Sequence, residues 1–163
     1  MATFDVLNER LYPQTLKTNV VICRQSVQGF GDITIPLPVG VTIDPVTGEF
    51  NVPVTIAPAG TPILINNTVI PDKVINNGAI PVNVLVSGVS VVQNVMIPWQ
   101  DVIDCPGVRP GDEVQKHDFL VTGLIVTAVL GTPGGLQLKA VYDYCLIVAR
   151  LKLISVSAAD ITC

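Results

Sequence analysis

The sequence predicts an all-β protein, an antiparallel β-sandwich of jelly-roll kind with about eight to ten strands and an N-terminal arm. Three observations carry this. Valine, isoleucine and threonine number 27, 16 and 13, so 56 of the 163 residues are β-branched; such side chains lose rotamer freedom in a helix and pack well on a pleated sheet. Short apolar runs alternate with turn residues roughly every eight to twelve positions, the spacing of a sandwich or barrel rather than of strands separated by helices. Charged residues make up only 13% of the chain against 49% hydrophobic, with mean hydropathy +0.57, a composition that forms a core and excludes disorder. The length suits one domain, read as residues 20–163 behind an arm at 1–19.

The arm carries Asp5, Glu9, Arg10, Pro13 and Lys17 without a clear period, with room for one strand. Strands follow at 19–26, 32–37, 39–43 and 49–56. Between the last two, Asp44-Pro45-Val46-Thr47-Gly48 is turn chemistry: Asp44 bonds its own backbone, Pro45 presets φ, and Gly48 accepts positive φ. The other ligand positions of a calcium loop are missing there. Ala57-Pro-Ala-Gly60-Thr-Pro62 breaks the pattern. An echo follows, Ile65-Asn-Asn-Thr-Val-Ile-Pro71 against Ile75-Asn-Asn-Gly-Ala-Ile-Pro81. Two units are too few for a solenoid, and the echo is read as two β-arches with Asn-rich corners, since Asn tolerates left-handed backbone angles.

Strands at 79–86 and 90–97 come next, then a pair at 116–130 and 136–156 joined by Gly131-Thr-Pro-Gly-Gly135. In the last strand Val141, Cys145, Ile147, Ala149 and Leu151 alternate with Ala140, Tyr142, Leu146 and Val148. Both rows are apolar, so both faces are expected to be covered.

Several function classes drop out. The longest uncharged stretch, 74–100, is broken by Asn76, Asn77, Gly78, Pro81, Ser87, Gly88 and Pro98, and makes no spanning helix. A transmembrane barrel needs an aromatic girdle, and the chain is 5% aromatic with one tryptophan, Trp99. A net charge of −4 with no basic run argues against nucleic acid. Catalysis has no foothold: the only histidine, His117, stands between Lys116 and Asp118 as a solvated residue, no Gly-x-Ser-x-Gly elbow occurs, and the Gly29-Phe30-Gly31 triplet lacks the lysine and helix of a phosphate loop. Asp101 and Asp104 are an acid/base pair only on paper and read as turn residues. No cofactor and no metal site is expected, because the four cysteines show no ligand spacing.

Those cysteines, Cys23, Cys105, Cys145 and Cys163, allow three internal pairings, among which spacing does not choose. Cys145 reads as a small core hydrophobe between Tyr144 and Leu146. Cys163, the last residue, reads as a crosslink to a neighbouring molecule, and Cys23 and Cys105 are candidates for structural or intermolecular bonds. The first ten residues show no basic leader with an apolar core, so no secretory signal is expected.

One segment carries a pattern. Val69-Ile-Pro-Asp-Lys-Val-Ile75 and Gly78 precede Ile97-Pro-Trp-Gln100, Ile103-Asp104, Pro106-Gly107, Pro110-Gly111 and Leu138-Lys-Ala-Val141. Across residues 69–156 this resembles the SPOCS domain of spore coat and spore morphogenesis proteins of endospore-forming Firmicutes. There a Lys-Val-x-x-x-Gly strand leads to a block with paired Pro-Gly turns and a Lys-Ala-Val strand. Trp99 replaces the usual Phe, Cys105 an aliphatic residue, and no LysM-like module is attached. In the block, Pro106 and Pro110 preset φ, while Gly107 and Gly111 accept positive φ.

The resemblance implies a structural role in the endospore envelope, with no catalytic residues to carry over. It also implies synthesis in the mother-cell cytoplasm and residence on the spore surface, as coat, exosporium or appendage. Low charge, apolar strands, the arm and the terminal cysteine point to self-assembly into a homopolymer, as the repeating subunit of a fibre or appendage joined by strand addition and disulfides. Other spore coat proteins are the further expected partners. The alternative is a non-catalytic module that docks to another coat protein or to cell-wall glycan.

Overall fold

The computed structural model describes residues 14–88 and 90–156, and every regular element among them is a strand. In chain order these are β1 (Gln14–Pro36), β2 (Val54–Pro58), β3 (Ile63–Ile70), β4 (Lys73–Val86), β5 (Ser90–Asp104), β6 (Glu113–Val129) and β7 (Gly135–Val156). An isolated bridge between Ile43 and Phe50 adds a small hairpin. All pairings are antiparallel, as the sequence predicts. Among the described residues no helix is long and apolar enough to cross a membrane.

β4 organises the first half. One of its edges pairs with β5 along its whole length; the other is shared end to end by β3, against residues 73–79, and β2, against residues 82–86. The second half is β1–β7–β6, with β1 and β7 paired from Gln14↔Val156 to Pro36↔Gly135. One rung, Gly31↔Trp99, joins β1 to β5 and makes the two halves a single sheet. That sheet curls until β2 and β6, from its opposite ends, meet. The two layers of the expected sandwich are thus two halves of one sheet. Val74, Ile80, Val82 and Val84 of β4 and Ile97 of β5 share one buried core with Leu136, Leu138, Leu146 and Val148 of β7. Each such side chain contributes about 1.5–3 kcal/mol by leaving water.

Several local expectations are corrected. β1 runs unbroken where a gap was expected at 27–31, because Gly29 and Gly31 are strand glycines and not turn glycines: neither is among the residues with positive φ. They are small because something presses on them. A Cβ on Gly31 would run into the Pro98 carbonyl and lie 3.1 Å from Trp99 Cβ. β1 also takes in residues 14–19 of the segment read as an arm; residues 1–13 lie outside the described residues. The Asn echo is no pair of arches. β3 and β4 form a hairpin that sets Asn66 opposite Asn77 and Asn67 opposite Asn76, so the echo is a cross-strand ladder. β6 starts at Glu113, which puts His117 inside a strand.

Among the described residues the last strand is covered on one face as far as Val148 and only in part on the other, where Ala149 has the one buried side chain. Ala140, Tyr142, Tyr144, Leu146 and Val148 are buried, whereas Val141, Cys145 and Ile147 are half-buried and Leu151 and Leu153 are 60% and 65% exposed. Among the described residues, seven strands enclose a single core and none is laid over the outer face of β7 at Leu151 and Leu153. Cys145 belongs to that outer row and stays unbonded, so it is not the core residue the sequence suggested.

Because the β1–β5 rung requires a bare Cα, Gly31→Ala should cost about 2–3 kcal/mol in denaturant unfolding. Gly123→Ala, whose new Cβ would meet Val141 at an ordinary 3.6 Å, should cost less than about 0.5 kcal/mol. Equal effects would refute the close approach.

Candidate functional site

The Pro-Gly block behaves as its residues predict. Gly107 and Gly111 take φ of +89° and +97°, Val108 N–H donates to the Cys105 carbonyl and Asp112 N–H to that of Arg109. What anchors the block comes from two strands and a turn. Cys105 is disulfide-bonded to Cys23 of β1, with Cα atoms 5.7 Å apart. Asp72, in the β3–β4 turn at φ +60°, accepts the Gly107 N–H on Oδ1 at 2.7 Å and donates its own N–H to the Val108 carbonyl. Arg150 of β7 grips Asp112 with two bonds, Nε to Oδ1 at 2.7 Å and Nη2 to Oδ2 at 2.8 Å, and donates from Nη2 to the Gly107 carbonyl. The hydrogen bonds from Arg150 hold the Asp112 carboxyl below the usual carboxylate range.

A second cluster lies inside the curl. Trp99, Phe119, Tyr142 and Tyr144 have ring centroids 5.0–6.1 Å apart, and Phe119 and Tyr144 stack within 7° of parallel. Asp101 accepts both tyrosine hydroxyls at 2.9 Å, one on each carboxylate oxygen, and fully buried Asn76 donates to Tyr144 at 3.3 Å. Burial first, and the Asp101 carboxylate after it, push both phenols well above their ordinary pKa. Two bare backbones make room. A Cβ on Gly29 would sit 2.6 Å from the Tyr142 hydroxyl, and one on Gly78 2.6 Å from the Trp99 ring.

Asp101 and Asp104 stand in the last rungs of β5, opposite Asn76 and Lys73, and not in a turn as expected. Asp101 is engaged by the tyrosines, and Asp104 is ion-paired to Lys73 on the surface. Among the described residues no group of three or more His, Cys, Asp or Glu could hold a metal ion.

The surface offers more. β7 pairs with β6 only as far as Ala149, and β1 meets β5 only at Gly31, so residues 14–20 and 150–156 continue as a two-stranded ribbon. Leu16 lies opposite Ile154 on one face; Leu151, Leu153 and Val21 lie on the other. All five are exposed. Farther along the outer face, Phe30 is 69% exposed beside Ile125, Lys139 and Val141 in a shallow concavity. β5 is charge-free from Ser90 to Gln100, with Val91, Val92 and Met96 exposed.

The structure therefore brings Cys23, Cys105, Pro106, Gly107, Pro110 and Gly111 together in one anchored corner; Cys163 lies outside the described residues. Asp72, Asp112 and Arg150 were missed. Asp112 follows Pro110-Gly111, a position where a carboxylate caps a turn, but nothing local ties it to Arg150, 38 residues away.

Two outcomes follow. Replacing Cys23 and Cys105 by Ser should lower stability by about 2–4 kcal/mol, since the bond closes a long loop; an unchanged midpoint would contradict the anchor. The tyrosine phenols bind their protons more tightly in the folded chain. Their contribution is complete below pH 10, the ordinary value, and is lost as pH rises above it. Unfolding free energy should therefore fall above pH 10 with late tyrosinate absorbance, and phenols that ionise normally in the folded protein would contradict the cluster.

Comparison of the chain with protein-family models, with curated proteins and with solved structures returns no match, so the function of these sites is argued from their own residues.

Proposed function

We propose that this chain is a self-assembling structural protein of the bacterial endospore envelope, the repeating subunit of a surface fibre or appendage, joined by strand addition and disulfides and without catalytic activity. The observation that carries the assembly reading is the β1–β7 ribbon. An isolated two-stranded hairpin is marginal in water. This one projects past its sheet with Leu16 and Ile154 on one face and Leu151 and Leu153 on the other, all exposed. Exposed sheet faces and edges in monomers are normally blunted by charge; here Lys17 and Lys152 stand in the ribbon, yet the four apolar side chains beside them stay exposed. A second copy supplies the missing cover.

The SPOCS-like motif supports the envelope setting, since the Pro-Gly block it rests on is the corner pinned by Cys23–Cys105, Asp72 and Arg150. The same bond suits a layer exposed to oxidising surroundings after the mother cell lyses. Spore coat proteins remain the further partners of this reading. Docking to glycan is less well supported, because sugar sites present aromatic platforms while Trp99, Tyr142 and Tyr144 are interior and Phe30 is the one exposed aromatic ring among the described residues.

Purified full-length protein should form polymers visible by negative-stain microscopy. Leu151→Lys/Leu153→Lys should leave circular dichroism unchanged and abolish them, and Cys163→Ser should leave polymers more sensitive to heat under oxidising conditions. A wild-type chain that stays monomeric at high concentration would overturn the proposal.

A further inference from the structure

The geometry points to the outer edge of β5, residues 90–97, as the acceptor for residues 1–13 of a second copy, which would add to it as an extra strand. This rests on the assembly reading above and names the place where one subunit receives the next. β5 is paired along one edge with β4, and among the described residues its other edge is paired only at Trp99. From Ser90 to Ile97 that edge offers unpaired backbone, carries no charge or proline, and is flanked by exposed Val91, Val92 and Met96. Its one protecting device is a β-bulge at Val92, where Val84 pairs with Gln93 and Leu85 with Val91. A covering strand gains main-chain bonds whatever its own sequence, and side-chain contacts on both faces.

Reach decides whose strand it is. Thirteen residues precede Gln14, and fully extended they cover at most about 45 Å. Gln14 lies at the tip of the ribbon, and β1 runs seventeen residues from there to Gly31, where it meets β5 at Trp99; at strand spacing that is roughly 55 Å. Because β1 and β5 are antiparallel, residues 97 down to 90 lie still farther from the tip. Measured along the strands, a chain's own first thirteen residues fall short of its own β5 edge, whereas those of a neighbour whose ribbon tip is brought close to that edge do not. Gln14 and Val156 are paired at that tip, so the chain enters and leaves the ribbon at one place.

β3 presents another uncharged open edge, but it is closed off at both ends by Pro62 and Pro71, and proline is a recognised way of blunting an edge.

The test uses full-length chains with Asn94→p-benzoylphenylalanine, mixed as equal amounts of unlabelled and nitrogen-15-labelled protein, allowed to assemble, then irradiated and digested. The expected product joins position 94 to a peptide from residues 1–13 carrying the other isotope label. Val92→Lys/Met96→Lys, checked for an unchanged melting curve, should lose that product. Cross-links to β3 or another segment, links within one copy only, or an unaffected Lys variant would overturn the acceptor while leaving assembly standing. A wild-type chain that never assembles would overturn both.

Discussion

Between Gly31 and Trp99 lies a single rung of backbone pairing, and the architecture turns on it. Without that rung the chain would form two separate three- or four-stranded units, β2/β3–β4–β5 and β1–β7–β6, each with one bare apolar face. The rung exists because residue 31 has no side chain to keep the Pro98 carbonyl away. Once it forms, β5 and β1 run alongside one another, Gln25 donates to the Asp104 carbonyl at 2.6 Å, and Cys23 comes within bonding distance of Cys105. The disulfide, the Arg150–Asp112 pair and the Asp72 turn then fix the corner that a single rung would leave loose. Behind it the aromatic cluster fills the curl, and Asp101 and Asn76 satisfy the phenols that such a core would otherwise bury unpaired.

The same economy explains the surface. A seven-stranded sheet curled on itself has an inside for about half of its side chains, yet 49% of the chain is hydrophobic and only 13% is charged. The surplus appears on the outer row of β7, along the ribbon, around Phe30 and at β5. In a free monomer these patches would be a liability. In the assembled layer proposed above they would be the material of the contacts, and the shortage of charge would belong to the assembly and not to the subunit.

Much of this was legible in the sequence wherever the cause is local. β-branched composition decides strands because the preference belongs to the residue itself. Asp44 was legible as a turn builder, and it does receive the Val46 and Thr47 N–H groups on one carboxylate oxygen; Gly107 and Gly111 were legible because positive φ is a single-residue property. Where partners are distant, the reading failed. Gly-Phe-Gly looks like a turn until Trp99 and Tyr142 are seen pressing on it. The Asn echo looks like two corners until antiparallel pairing turns a ten-residue repeat into a ladder, and Arg150 gives no sign of Asp112. Alternation in the last strand was read correctly, but its second apolar row faces outward, since sequence shows that a face wants cover without saying which molecule provides it.

That the uncovered surface is an interface between copies is the central claim, and hydrogen–deuterium exchange on the full-length protein tests it most directly. The account predicts fast exchange of amides in residues 14–20, 90–97 and 150–156 in dilute solution and strong protection of all three in the assembled state, with the core of β4 and β7 protected in both. Protection of those segments in a dilute monomer, or fast exchange that persists after assembly, would contradict it.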